Sequence, residues 1–353
     1  MQIYQKESLL LMFILLAIIS SILYSLTIRF FEENYDNCVN YLSINKNEQL
    51  PLALKSKKWL EYYRKFNINE ETIREPGHAK IFKHTKNTEK AIILLHGLTD
   101  STFSLTDLSE HFYSLGYDVY LPLLSHHGVK NMESMKGVTL ESWIDNVNYA
   151  VDEISESYKT ISMGGLSMGA LLSFYISQKD VRINGDVFLF SVPFELKPQY
   201  PGIIGKIQEL YVFNVDERNS KALTDGTNPY AYARMDRYGL RELVRLMKKV
   251  EKNLSKEKGG KYQFKNNILA FHSEHDKSAY IQPVKRLNCH AEKGSFKAMI
   301  IPEKNKVAHG SIVMNKTIYR ANGNSEEHII KKKNPFFSEI AKTISEFTNK
   351  KIN

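Results

Sequence analysis

Thr160-Ile161-Ser162-Met163-Gly164-Gly165-Leu166-Ser167-Met168-Gly169-Ala170-Leu171-Leu172-Ser173-Phe174-Tyr175 is the stretch on which the fold turns. Its opening residues, to Gly164, form a short β-prone run, and the residues from Ala170 read as a helix. Between them stands Gly165-Leu166-Ser167-Met168-Gly169, a serine flanked by glycines at a strand-to-helix corner. That layout is a nucleophile elbow, a turn so tight that only residues without bulk fit beside it. The serine hydroxyl is lifted above the sheet, and the next amide N–H points where an oxyanion would form. An ordinary glycine-containing loop is the competing reading, and the strand and helix on either side weigh against it.

The partners such a serine needs follow in chain order. Asn267-Ile268-Leu269-Ala270-Phe271-His272 reads as a strand, with Ser273-Glu274-His275-Asp276-Lys277 after it. Phe296-Lys297-Ala298-Met299-Ile300-Ile301 is another strand, and Val307-Ala308-His309-Gly310 lies beyond it. Ser167, Asp276 and His309 are therefore the candidate triad. In it Ser167 attacks a carbonyl, and His309 takes its proton and later returns it to the leaving group. Asp276 fixes the imidazole tautomer and stabilises the imidazolium. Glu274 is close enough in sequence to stand in for Asp276. His272, His275 and Asp276 cluster, but their spacing matches no zinc signature, so no metal is expected.

Upstream, Ala91-Ile92-Ile93-Leu94-Leu95 is a continuous apolar run, as in a central parallel strand buried on both faces. It ends in His96-Gly97-Leu98-Thr99-Asp100. A loop of this kind supplies one oxyanion N–H and the residue after the nucleophile supplies the other. That assigns the hole to the backbone N–H groups of Leu98 and Met168. His96 is expected to hold the loop by a hydrogen bond.

With these motifs the chain resembles the α/β-hydrolase superfamily, in its branch of carboxylesterases, monoacylglycerol lipases and serine aminopeptidase-like hydrolases. The resemblance rests on His96-Gly97-Leu98-Thr99, Leu124-Ser125-His126-His127-Gly128, Ser142-Trp143, the Ser167 elbow, Asp276 and Ala308-His309, and covers residues 76–350. Relatives usually read Gly-His-Gly where this chain has His126-His127-Gly128, which leaves the part played by His126 open. The resemblance implies a serine hydrolase that cleaves carboxylic esters, monoacyl lipid-like or medium-chain, through an acyl-enzyme and without a cofactor. A peptidase or amidase using the same triad is one alternative. A binding protein that keeps the fold without turnover is another, and three intact triad positions argue against it.

Helix and strand patterns alternate along the chain, which predicts an α/β fold: a mostly parallel central sheet flanked by helices. A helix is expected between Asp100 and Leu115, closed by Gly116 and followed by the strand Asp118-Val119-Tyr120-Leu121. From Thr139, a plausible N-cap, Leu140, Trp143, Ile144, Val147, Val151 and Ile154 share one helical face, so Trp143 belongs to the core. Asp186-Val187-Phe188-Leu189-Phe190 is the next strand. The closing helix takes Asn334 as cap and Pro335 in its first turn, with Phe337, Ile340, Ala341, Ile344 and Phe347 on one face.

Residues 193–262 need no sheet strand yet are too long for a plain loop. They read as a helical cap with a clear helix over Leu240–Val250. Its aromatics Tyr200, Tyr211, Phe213, Tyr230, Tyr232 and Tyr238 either line an acyl or alcohol pocket or pack the cap on the core, and for each one packing is the favoured reading. The segment Glu251 to Lys261 reads as a solvated return.

The N-terminal stretch Ser8 to Ile28 carries no charge, and about 20 such residues cross a bilayer core. Residues 9–28 are read as a transmembrane signal anchor after a short tail, 1–8, with the catalytic domain expected outside the cytoplasm. Residues 29–75 read as a membrane-proximal stalk with a helical patch around Lys55 to Lys65. The net charge of +9 is spread along the chain, and runs such as Lys331-Lys332-Lys333 are ordinarily solvated faces or attract anionic lipid. Nothing resembles a nucleic-acid module or a phosphate-binding glycine loop. Cys38 and Cys289 are too few for a disulfide framework, though they suffice for one bridge.

Overall fold

The computed structural model describes residues 57–69, 71–74, 77–132, 134–196, 230–232, 235–254, 261–292, 294–319 and 329–349. In chain order the helices are α1 (Lys57–Arg64), α2 (Thr106–Ser114), α3 (Leu140–Ile154), α4 (Met168–Ser177), α5 (Arg237–Leu254), α6 (Gln282–His290) and α7 (Phe337–Asn349). The strands are β1 (Lys80–Phe82), β2 (Lys90–Leu95), β3 (Asp118–Leu121), β4 (Thr160–Leu166), β5 (Val187–Phe190), β6 (Ile268–Ser273), β7 (Phe296–Ile301), β8 (Ile318–Tyr319) and β9 (Ile329–Lys331).

Strands β1 to β7 form one sheet in the order β1-β3-β2-β4-β5-β6-β7. Strand β1 runs antiparallel to β3 and every other neighbouring pair is parallel. The order reverses at β2, and a reversal in a parallel sheet opens a crevice at the carboxyl ends of the strands. Alternation along each strand feeds two cores. Ala91, Ile93 and Leu95 join Trp143 and the apolar faces of α1, α3, α4, α5 and α6, whereas Ile92 and Leu94 join α2 and α7. That double burial is why β2 reads as an unbroken apolar run.

Most expected elements fall where the sequence puts them. Thr139 caps α3 by accepting from the Ser142 N–H, and Ser142 completes a capping box. Trp143 is fully buried, its indole N–H donating to the Ser125 carbonyl at 3.2 Å. Gly116, at φ +83°, ends the α2 region as expected, but the segment opens as a 3-10 turn over Thr102–Leu105 before α2 begins. Helix α7 begins at Phe337, two residues after Pro335, and Asn334 Oδ1 accepts the Phe336 N–H. Ile144 and Phe347 are partly buried and still pack against the two cores, and Ala341 is partly buried.

Three features depart from the expectation. The described end of the stalk is not separate from the catalytic body: Trp59, Tyr63, Ile68 and Ile73 are buried in the larger core. Tyr63 Oη accepts the Leu123 N–H at 2.8 Å, which ties α1 to the loop after β3. Helix α6, with Pro283 in its first turn, and the two-stranded β8–β9 ribbon were not anticipated.

The anchor predicted over 9–28 lies outside the described residues, as do Tyr200, Tyr211, Phe213 and Cys38. Among the described residues no helix is long and apolar enough to cross a membrane. Cys289 is exposed.

Candidate active site

Ser167 is the single residue between the last residue of β4 and the first of α4, with φ 55° and ψ −121°. A non-glycine residue in that region is strained, and such strain gathers at functional sites. The elbow is held from both sides. Ser167 donates its backbone N–H to the Phe190 carbonyl at 2.9 Å. A Cβ on Gly165 would fall 2.4 Å from the Leu95 oxygen, and one on Gly169 would fall 2.1 Å from the same atom. Both contacts are impossible, so the glycines let β4 and α4 press against the end of β2.

The three candidate triad residues come together from distant parts of the chain. His309 Nε2 lies 2.8 Å from Ser167 Oγ, and His309 Nδ1 lies 2.6 Å from Asp276 Oδ2. With Nδ1 protonated toward the carboxylate, Nε2 is left as the acceptor for the serine proton. Asp276 Oδ1 accepts the N–H groups of Ser278 and Ala279 at 2.8 and 3.0 Å. Burial pushes the Asp276 carboxyl up, but the hydrogen bond from His309, the charges of His309 and His272 and the Ala279 amide outweigh it and hold it below its ordinary value. The group is a buried carboxylate kept ionised by its partners.

Glu274 does not compete for this place. It is exposed and bridges to Lys285 at 2.9 Å. His275 turns to Glu303 at 2.7 Å. His272 is fully buried, and burial lowers its pKa. Its Nε2 lies 3.6 Å from Asp276 Oδ2, beyond hydrogen-bond range, on a carboxylate already engaged by His309.

Met168 follows Ser167 directly, and Gly97, the residue before Leu98, lies against the serine. Met168 opens α4, so its N–H is one of those that find no carbonyl within the helix. A Cβ on Gly97 would sit 3.4 Å from Ser167 Cβ. His96 Nδ1 donates to the Gly97 carbonyl at 2.9 Å, and His96 Nε2 accepts the Leu124 N–H at 3.1 Å. In a trans peptide the Gly97 C=O and the Leu98 N–H point in opposite directions in one plane. Pinning the carbonyl therefore aims the N–H, which gives the expected loop-holding role of His96 a geometry.

His127 Nε2 meets the Leu98 carbonyl at 2.7 Å and fixes the next peptide. Burial holds both rings neutral, pushing His96 down to about 4 and His127, with His96 as a neighbour, down to about 3. Nothing in the sequence says which carbonyl a buried ring will meet, so the motif alone assigns His127 no role. His126 stands at φ 64° in the left-handed region, which glycine adopts without strain.

The cap meets the site through α5. A Cβ on Gly239 would fall 2.6 Å from Met135 Sδ and 2.8 Å from Leu98 Cδ1, so this helix packs directly on the loop that bears Leu98. The buried Glu242 carboxylate accepts the Leu140 N–H at the start of α3 and pairs with Arg241 and Arg245. The described cap aromatics pack on the body of the protein. Tyr230 stacks on Phe103 at 3.8 Å between centroids, and Tyr232 is buried with its hydroxyl donating to the His126 carbonyl at 2.8 Å. Tyr238 is half-buried against the core.

No protein-family model matches the chain. It is 27% identical over 176 residues, 49% of this chain and 68% of the relative, to a thermostable monoacylglycerol lipase of Bacillus sp. (strain H-257). It is 31% identical over 123 residues, 34% of this chain and 49% of the relative, to a carboxylesterase of Bacillus subtilis (strain 168). Among solved structures, one described with two metagenome-derived lipolytic enzymes, LipS and LipT, superposes with a TM-score of 0.57 at 16% identity, covering 79% of this chain and 99% of that one. The fold is thus that of the α/β-hydrolases. Within them, the sequence likeness falls in the monoacylglycerol lipase and carboxylesterase branch that the motifs suggest.

Proposed function

We propose that this chain is a serine hydrolase that cleaves carboxylic esters through an acyl-enzyme. The observation that carries the reading is the continuous path from Asp276 Oδ2 through His309 to Ser167 Oγ, at 2.6 and 2.8 Å. In the first step His309 Nε2 accepts the Ser167 proton as Oγ attacks the carbonyl carbon. The oxyanion takes hydrogen bonds from the N–H groups of Leu98 and Met168, and Asp276 balances the imidazolium. Collapse expels the alcohol, which takes the proton from His309. Water, activated by the same ring, then releases the acid and restores Ser167.

Monoacyl lipid-like or medium-chain esters are the favoured substrates, supported by the names of the monoacylglycerol lipase and carboxylesterase relatives. The uncharged stretch over residues 9–28 supports anchoring at a membrane, with the catalytic body outside the cytoplasm. The test of the reaction class is a rate profile on p-nitrophenyl esters of stepped acyl length beside aminoacyl anilides. The proposal expects ester turnover to dominate at medium chain length. Dominant anilide cleavage would make the chain an amidase instead.

A further inference from the structure

A pocket of about 350 Å³ opens beside His309. One wall is the turn that carries the histidine and includes Lys306, Ala308 and Gly310; the other is β9 and the residues after it, with Lys331, Lys332 and Lys333. Four lysines therefore line it, and among the described residues no carboxylate does. Asp100 reaches one of them from outside: Lys331 Nζ donates to Asp100 Oδ2 at 2.9 Å and so ties β9 to the loop that bears Leu98. A Cβ on Gly310 would lie 3.5 Å from Lys331 Nζ, so the ribbon and the histidine turn are in contact range. Lys306 stands at φ 48°, bending the chain just before His309. Lys306 and Lys333 are both exposed, and neither makes an ion pair among the described residues.

Such a pocket repels cations and favours a small group of negative charge. Lysine ammonium groups act as point charges on carboxylate or phosphate, without the planar match that arginine demands. Ala308 and Gly310, the residues on either side of His309, both line the pocket, and His309 Nε2 reaches Ser167 Oγ at 2.8 Å. We infer that the pocket receives a carboxylate or phosphate carried by the ester substrate, so that the enzyme selects anionic esters over neutral ones. The inference deepens the ester-hydrolase reading and rests on it.

The test compares kcat/KM for p-nitrophenyl butyrate with that for the mono-p-nitrophenyl ester of glutaric acid, similar in length but ending in a carboxylate. A short-chain acyl glycerol phosphate, monomeric in water, is the phosphate arm. Wild type should prefer the anionic esters by about tenfold at low salt, with the preference shrinking as salt rises. Lys306→Glu with Lys333→Glu should erase that ratio, and Lys306→Arg with Lys333→Arg should keep it.

Equal rates on the charged and neutral esters, or a preference that survives the double charge reversal, would overturn the inference and leave the ester reading standing. A preference seen only on anionic vesicles and not on monomeric substrates would also overturn it, in favour of surface docking. Absence of turnover on every ester would sink the ester reading and this inference with it.

Discussion

His309 Nδ1 donates to Asp276 Oδ2 across 2.6 Å, while the amides of Ser278 and Ala279 hold the other oxygen of that carboxylate. An amide in place of the carboxylate would invert the hydrogen bond and leave Nε2 protonated, facing the serine it should deprotonate. Asp276→Asn should therefore lower kcat by on the order of 10⁴. Glu274→Gln breaks only an exposed bridge to Lys285 and should change kcat by less than about threefold. Rates on a short p-nitrophenyl ester decide between them, and the reverse ranking would move the acid to Glu274.

The site was legible in the sequence to the extent that its geometry is local. Ser167 and its glycines announce themselves because a strand-to-helix corner forbids side chains, and the Cβ positions built on Gly165 and Gly169 show the same prohibition in space. Asp276 and His309 were found by order along the chain, each just past a late strand. What escaped is what depends on distant packing. Trp59 and Tyr63 sit in a charged, unremarkable stretch whose burial is decided by distant partners, Tyr120 and Tyr149 for Trp59 and the loop after β3 for Tyr63. The β8–β9 ribbon pairs residues too few to show a period. The contact of His127 with the Leu98 carbonyl joins residues 29 apart, and no spacing rule predicts it.

The buried histidines His96, His127 and His272 set an acid limit on stability, each ring's pKa lowered by burial. His96 falls from 6.5 to about 4 and His127 from 6.5 to about 3 on folding, each because burial disfavours the charged ring. Between those values and 6.5 the unfolded chain binds more protons than the native one, so stability rises with pH. The contribution is complete above about pH 6.5 and is lost as pH falls, on the order of 3 kcal/mol for His96. Asp276, held below its ordinary value, adds a loss only at lower pH. Urea midpoints measured from about pH 7 to about pH 4.5 should drop steadily. A level profile would contradict the neutral, buried assignment.

Two glycines should answer very differently to alanine. In Gly169→Ala the new Cβ meets backbone at 2.1 Å, where nothing can yield without parting β2 from α4. The cost should exceed about 3 kcal/mol, or prevent folding. Gly137, at φ +89° with nothing within 4 Å of its Cβ position, faces only backbone strain of about 1–2 kcal/mol in Gly137→Ala. Chemical denaturation of the two variants checks the contrast; equal losses would mean the elbow is looser than described.

Truncation separates the anchor from the catalytic body. Removal of residues 1–56 should leave a folded protein active on water-soluble esters, since α1 and its core contacts remain. Removal of residues 1–75 strips Trp59, Tyr63, Ile68 and Ile73 from the core, at roughly 1.5–3 kcal/mol each, and should unfold or gravely weaken it. Equal urea midpoints for the two truncations would contradict the packing of α1. The full chain should resist a carbonate wash of membranes, and its release would argue against a spanning segment over residues 9–28.

The account stands most directly on Ser167 Oγ, 2.8 Å from His309 Nε2. A fluorophosphonate probe, which labels only serines activated by a neighbouring base, tests it in one gel. Wild type should label, and Ser167→Ala, which removes a half-buried hydroxyl without disturbing the elbow, should fold normally, lose turnover to background and stay unlabelled. Labelling and ester turnover that persist in Ser167→Ala would place the nucleophile elsewhere and contradict the mechanism.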